Sequence, residues 1–175
     1  MISRFIEYKD SQIMVPLFKS MVRPILEYGN VIWFPVLKKH TQLIENVQRR
    51  FTKRVNGMSN VEYKDRLRVL KLPSLEFRRY RGDMIETYKV LHGLYDSNTT
   101  NNFFTLNQSA TRGHPLKLIK NPVHTNLFGT FFCNRVVNLW NSLPKDVVLS
   151  GTTNSFKNSL DKYWAHHMYN TDLEL

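Results

Sequence analysis

The chain has 175 residues, 42% of them hydrophobic and 13% aromatic, which excludes an intrinsically disordered protein and predicts one folded domain, with or without a short extension. Its 25 Lys and Arg against 14 Asp and Glu give a net charge of +11, which favours a polyanionic partner such as nucleic acid. The single cysteine excludes an intramolecular disulfide and a zinc site built from several cysteines, and no apolar run reaches the roughly 18 residues of a membrane span.

The predicted elements, in chain order, are all helices. Apolar residues at spacings of three and four, with proline, glycine and capping residues at the ends, define these helices. The first two lie at 11–28, with an interruption at Pro24, and from Thr41 to Gly57. A shorter helix carries Tyr63, Leu67 and Leu70 and stops at Pro73. The others run from Ser74 to Gly93, from Phe128 to Leu143, and from the capping residues 152–155 to Trp164. We therefore predict an all-α, multi-helix domain over 1–95. A polar linker at 96–111, a small C-terminal helical subdomain at 112–168 and a frayed tail at 169–175 follow.

Most of the positive charge lies in one block. Residues 38–89 hold fourteen of the 25 basic residues but only six of the 14 acidic ones, a net charge of +8. On a helical wheel, Arg49 and Lys53 fall opposite the apolar stripe of the second helix, and Arg50 and Arg54 lie along its flank. This clustering on amphipathic helices predicts a positively charged surface, which is a binding feature and not a catalytic one.

The helix that opens at Ser74 shows a similar pattern. On the helical wheel Arg78 and Arg79 lie on the side opposite the apolar face, and Arg81 lies on the border between the two sides. The alternative for both helices is a solvated face that only keeps the protein soluble, because exposed charge is the default for Lys and Arg.

Several other residues have a functional and a structural interpretation. Arg112-Gly113-His114 fits a turn with a phosphate-binding Arg and His better than a nuclease site, because no carboxylate cluster accompanies it. The aromatic residues Tyr28, Trp33 and Phe34 could stack on bases, but a core position is the stronger expectation. Asp83 and Glu86 are expected to form local ion pairs with neighbouring Arg and Lys residues and not to bind metal.

A series of short motifs occurs in one order along the chain: 22–29 (VRPILEYG), 45–53 (ENVQRRFTK), 75–84 (LEFRRYRGDM), 112–114 (RGH), 140–144 (WNSLP) and 154–161 (NSFKNSLD). Together they resemble the segment downstream of the polymerase core in non-LTR retrotransposon reverse transcriptases of the LINE-like and jockey-like branch. The resemblance spans about residues 11–165. It implies a thumb and C-terminal connection, which in the intact enzyme follows the template–primer backbone.

The resemblance also implies what this chain lacks. Polymerases of this family hold two divalent metals with an adjacent pair of aspartates and a further aspartate upstream, and this sequence has no two adjacent aspartates. We therefore expect a non-catalytic fragment, without cofactor or metal, that binds RNA, RNA–DNA hybrid or DNA by its phosphates. The residues expected to make these contacts are Arg49, Arg50, Lys53, Arg54, Arg78, Arg79, Arg81 and Arg112.

Two alternatives stay open at this stage. The chain could be a protein-interaction module that binds an acidic protein or a polymerase core, or the non-functional remnant of a truncated element. A remnant that has lost its packing partner is expected to expose apolar side chains at residues 13–34. The lone cysteine and the lack of a signal-type apolar core at the start lead us to expect an intracellular protein, without deciding whether it enters the nucleus.

Overall fold

The computed structural model describes residues 8–35, 37–96, 103–108, 113–123 and 125–171. Helices dominate these residues, which contain no β-sheet and a single isolated antiparallel bridge, between Leu106 and Leu118. The predicted all-α fold class is therefore confirmed. Within this described part, no helix has the length and apolar composition needed to cross a membrane.

The described residues group into two compact units. The first contains those within Met1–Gly29, Pro35–Arg79 and His166–Glu174, and the second those within Asn30–Phe34 and Tyr80–Ala165. This division differs from the predicted one, which separated 1–95 from 112–168. Residues 103–108, which lie in the predicted linker, are hydrogen-bonded to residues 117–119 within the second unit. The amide of Asn107 donates to the carbonyl of Lys117, and the amide of Ile119 donates to the carbonyl of Thr105, each at 2.8 Å.

The first unit begins with an interrupted helix. It consists of α1 (Ser11–Leu17), a π-helical turn (Phe18–Val22) and α2 (Arg23–Glu27). Pro24 has no amide hydrogen to bond the carbonyl four residues earlier, and the wider turn lies directly before α2, as expected for a helix that a proline interrupts. Phe18 is fully buried and packs on Phe51, with ring centroids 4.8 Å apart.

Two further helices complete the core of the first unit. Helix α3 (Lys38–Lys53) supplies Phe51, and helix α4 (Tyr63–Leu70) supplies Leu67 and Leu70 to the same apolar cluster. Helix α4 ends at Leu70, and the next residue, Lys71, adopts the left-handed conformation (φ 51°) two residues before the predicted stop at Pro73.

The second unit is built around Trp140. Its helices are the part of α5 (Leu75–Leu91) from Tyr80 onward, then α6 (Asn126–Gly129), α7 (Phe132–Ser142), α8 (Lys145–Val148) and α9 (Thr153–Tyr163). Trp140 is fully buried, and Phe156 lies between it and Tyr88, with ring centroids 6.0 and 4.4 Å away respectively. The hydroxyl of Thr152 accepts the amide of Ser155 and caps α9, which confirms the predicted start of this helix.

Candidate nucleic-acid interface

The outer face of α3 holds the first group of predicted binding residues. The side chains of Arg49, Arg50, Lys53 and Arg54 are all exposed. The buried side of the helix carries Glu45, Gln48 and Thr52. At about 100° per residue, Arg50, Lys53 and Arg54 point away from that side. These three residues form the basic face of α3.

The wheel position of Arg49 differs from the prediction. The sequence suggested Ile44, Val47, Phe51 and Val55 as the buried stripe, but Val47 is 39% exposed and the polar residues Glu45 and Gln48 are buried instead. The buried side of α3 is therefore rotated about the helix axis relative to the predicted side, and Arg49 lies at the edge of the buried side. There the guanidinium lies over the ring of Tyr63, 4.7 Å from its centroid, in a cation–π contact.

A buried polar network explains why α3 takes this rotation. The Glu45 carboxylate accepts the hydroxyl of Tyr63 at 2.5 Å on one oxygen, and the backbone amides of Leu75 and Glu76 at 2.9 and 3.2 Å on the other. The side-chain amide of Gln48 donates to the carbonyl of Pro73 at 3.0 Å. The two bonds that Glu45 accepts from Leu75 and Glu76 satisfy the first amides of α5, which have no partner within their own helix. They fix the outward direction of the basic residues.

The electrostatics of this network are dominated by burial. Burial raises the pKa of Glu45, although the hydrogen bond from Tyr63, the charge of Arg79 and the two backbone amides oppose the rise. Burial and the neighbouring Glu45 carboxylate likewise raise the pKa of the Tyr63 hydroxyl. The hydroxyl thus remains a donor to Glu45 at neutral pH.

A polar groove lies beside the network, within the first unit. It has a volume of about 250 Å³, and its lining residues are Thr41, Gln42, Glu45, Asn46, Arg49 and Thr171. Sequence reasoning missed it, because Thr171 joins the lining from a distant part of the chain. The available signal was the spacing of Gln42, Asn46 and Arg49, which places three polar side chains on one side of a helix.

The arginines of α5 do not share the exposure of the basic face. Arg79 is 2% exposed, so the prediction that it faces solvent is wrong. Arg78 forms a two-bond ion pair with Glu27 in the first unit. In the second unit Arg81 forms another with Asp161, at 2.5 and 2.8 Å. Each of these two side chains is about three-quarters covered. Their donors are engaged by carboxylates, which disfavours the predicted phosphate contacts.

The predicted Arg112 lies outside the described residues, but its neighbour His114 can be placed. His114 is 1% exposed, and its Nε2 lies 3.1 Å from the carbonyl of Trp140. Burial lowers its pKa, with Lys117 acting in the same direction and the bond to Trp140 opposing it. A side chain so placed cannot reach an external phosphate, so the interpretation of His114 as a phosphate ligand is wrong.

The predicted ion pairs of Asp83 and Glu86 exist, but only one is local. Glu86 pairs with Lys89 at 2.7 Å, three residues away. Asp83 instead receives two bonds of 2.9 Å from Arg135 of α7. The same guanidinium donates to the carbonyls of Thr130, Asn30 and Val31 at 3.1 to 3.2 Å. Sequence reasoning missed Arg135, because its partners are far away along the chain.

The aromatic residues near the start of the second unit are split between surface and interior. Phe34 is half-buried under the guanidinium of Arg135, 4.7 Å from the ring centroid, and beside Tyr80. Trp33 is exposed, and in the first unit Tyr28 is 82% exposed. The expected core position therefore fits Phe34 and is wrong for Tyr28 and Trp33.

Within the described residues, no three His, Cys, Asp or Glu side chains are grouped so that they could hold a metal ion. Comparison of the chain with protein-family models, with curated proteins and with solved structures finds no match in any of the three. The resemblance to non-LTR reverse transcriptases stays a prediction from the sequence motifs.

Proposed function

We propose that this chain binds nucleic acid, RNA or an RNA–DNA hybrid, through phosphate contacts made by the basic face of α3. The observation that carries the proposal is the exposure of Arg50 and Lys53 on one helix, where neither makes a salt bridge with any described residue. Exposed cations concentrated on one rigid element are the electrostatic footprint of a polyanion site.

The choice of nucleic acid rests on the sequence motifs. They resemble the thumb region of a reverse transcriptase, which tracks the backbone of template and primer. Planar guanidinium groups also match phosphate oxygens better than ammonium groups do, and two of the three residues in the basic face are arginines. The chain would bind without catalysing nucleotide transfer, because it lacks the paired aspartates of the polymerase centre.

The test is binding of single-stranded RNA and of RNA–DNA hybrid as salt is raised. The triple variant Arg50→Gln, Lys53→Gln, Arg54→Gln removes the basic face without touching Arg49, which packs on Tyr63. Each phosphate contact on a single strand contributes about 0.7 to the slope of log affinity against log salt. The variant should therefore bind more weakly and lose about 2 units of slope.

A matched control removes the same charge from other exposed positions. Lys120, Lys145 and Lys162 are exposed and lie outside α3, so their triple replacement by Gln should lower the affinity much less. Equal losses in the two triple variants would mean that net charge alone attracts the RNA. Unchanged affinity and slope in the α3 variant would refute the proposed interface.

A second candidate function, binding to another protein, is favoured by a separate observation. Along the first helical stretch Met21, Ile25 and Tyr28 expose 53%, 76% and 82% of their surface. By the resemblance, the partner would be the polymerase core. Titration calorimetry with such a core should then give an affinity that survives high salt, with a negative heat-capacity change, and Ile25→Ser with Tyr28→Ser should abolish it.

A further inference from the structure

The polar groove of the first unit continues the binding side of α3. Gln42, Asn46, Arg49 and Lys53 follow one another at spacings of four, three and four residues, so they lie along one side of the helix. The first three line the groove, and Lys53 belongs to the basic face one turn further on. A strand whose phosphates contact the basic face would therefore pass beside the groove.

The lining favours neither an anion nor an apolar ligand, because the Glu45 carboxylate and the Arg49 guanidinium offset each other in charge and the other lining side chains are polar and uncharged. It offers two hydroxyls and two side-chain amides, which both donate and accept hydrogen bonds. It also contains the Glu45 carboxylate, whose proximity disfavours a phosphate inside the groove, and none of its described lining residues is apolar. A flat, uncharged group that carries both donors and acceptors fits these walls, and among the parts of a nucleic acid only the base has that chemistry.

Arg49 adds a stacking surface to the groove. Its guanidinium is held over the Tyr63 ring, with 4.7 Å between them, so one face of the planar group is fixed by the protein. Bases that have left the helical stack are commonly bound on aromatic side chains and on guanidinium planes of this kind. The carboxylate wall and the stacked Arg49 thus favour a base over a phosphate at this position.

We propose that the groove takes one unstacked base of a single-stranded nucleic acid whose phosphates lie on the basic face of α3. This inference rests on the proposed function and deepens it. Phosphate contacts on α3 would then supply the salt-dependent affinity, and the groove would supply a preference for a single strand with accessible bases over a duplex.

The experiment compares a single-stranded RNA of about ten nucleotides with the same backbone lacking its bases. The wild-type chain should bind the complete RNA about tenfold more tightly than the abasic one. The double variant Gln42→Ala, Asn46→Ala should lose that difference while keeping the salt slope, because the basic face is intact. Asn138→Ala removes an exposed amide from α7 in the second unit and should behave as wild type.

Arg49→Lys separates stacking from charge. Lysine keeps the positive charge but not the planar group, so this variant should lose base dependence while its salt slope stays the same. RNA containing 2-aminopurine reports the same event, since the fluorescence of this base changes when it leaves its neighbours and enters the groove. Thermal unfolding of each variant verifies that it is folded.

The outcomes distinguish the two proposals. Equal affinity for complete and abasic RNA, with a steep salt dependence, would overturn the base-binding groove and leave the phosphate interface standing. A base preference that survives in the Gln42→Ala, Asn46→Ala variant would also overturn it. Binding of neither RNA by the folded chain would overturn both.

Discussion

Helices α3 and α5 each carry a cluster of basic residues but use it in opposite ways. Each is amphipathic and has a cluster of Lys and Arg within a few residues. On α3, Arg50 and Lys53 extend into solvent. On α5, Arg78 is paired with Glu27, and Arg79 is buried. A basic cluster on an amphipathic helix thus becomes a charged surface only where no carboxylate from elsewhere in the fold neutralises it.

Arg135 of the second unit is an arginine that lies outside any basic cluster and is held in the interior. Arg135 donates to Asp83 and to three backbone carbonyls, and its guanidinium also lies over Phe34 and Phe132. A buried charge is tolerated when it is paired and its donors are satisfied. This residue therefore has the opposite role to Arg50, although both are arginines on helices.

The largest effect is expected for Arg135→Gln. The Asp83 side chain is 2% exposed, so the variant takes the guanidinium charge and its two bonds away from a buried carboxylate and should cost about 3–5 kcal/mol of unfolding free energy. Urea denaturation measures this cost. The exposed Arg50→Gln is the matched control and should stay within about 0.5 kcal/mol of wild type.

Two further variants show whether the charge pair is the cause. Arg135→Lys keeps the charge but not the two parallel bonds, and should fall between wild type and Arg135→Gln. Asp83→Asn combined with Arg135→Gln removes both charges and should recover part of the loss. If Arg135→Gln were no more destabilising than Arg50→Gln, the contrast between buried and exposed arginines would fail.

A smaller effect is expected for Glu45→Ala, which tests the network that rotates α3. The change leaves the Tyr63 hydroxyl and the amides of Leu75 and Glu76 without their acceptor. It should destabilise the chain by about 2–3 kcal/mol in urea denaturation. Glu45→Gln keeps an oxygen for the amides and should cost less, and the exposed Glu62→Ala serves as control. A cost for Glu45→Ala equal to that of Glu62→Ala would show that the network does not hold α3.

The smallest effect is the pH dependence that arises from His114. Its pKa is lowered in the fold by burial, so between the folded pKa and the unfolded value of about 6.5 the unfolded chain binds more protons than the native chain. The contribution of His114 to the free energy of unfolding is therefore fully present above about pH 6.5 and is lost as the pH falls through the folded pKa.

His114→Gln, which keeps a side-chain N–H for the carbonyl of Trp140, removes this titration. Unfolding free energies at pH 8 and pH 5.5 should show a larger decrease for the wild type than for the variant. The same decrease in both would mean that His114 titrates alike in the folded and unfolded chains, contrary to its buried position.

The helices themselves could be predicted because their signals are local. Phe77, Met84 and Tyr88 recur at helical spacing and are buried on α5, and Ser74 accepts the amide of Phe77 at the start of that helix. The orientation of α3 about its own helix axis was harder to predict. The sequence favoured Val47 as a buried residue of α3, but Glu45 is buried because the amides of Leu75 and Glu76 need an acceptor there, a requirement that only the tertiary contact creates.

The sequence by itself determined the all-α class and the concentration of positive charge between residues 38 and 89, since both follow from residue type and short-range spacing. Only the tertiary structure decided which cations remain exposed, because the partners of Arg78, Arg81 and Arg135 lie 51, 80 and 52 residues away. It also decided that Thr171 joins α3 in lining a polar groove. Helix formation depends on neighbours along the chain, whereas neutralisation of a charge depends on which carboxylate the folded chain brings within reach.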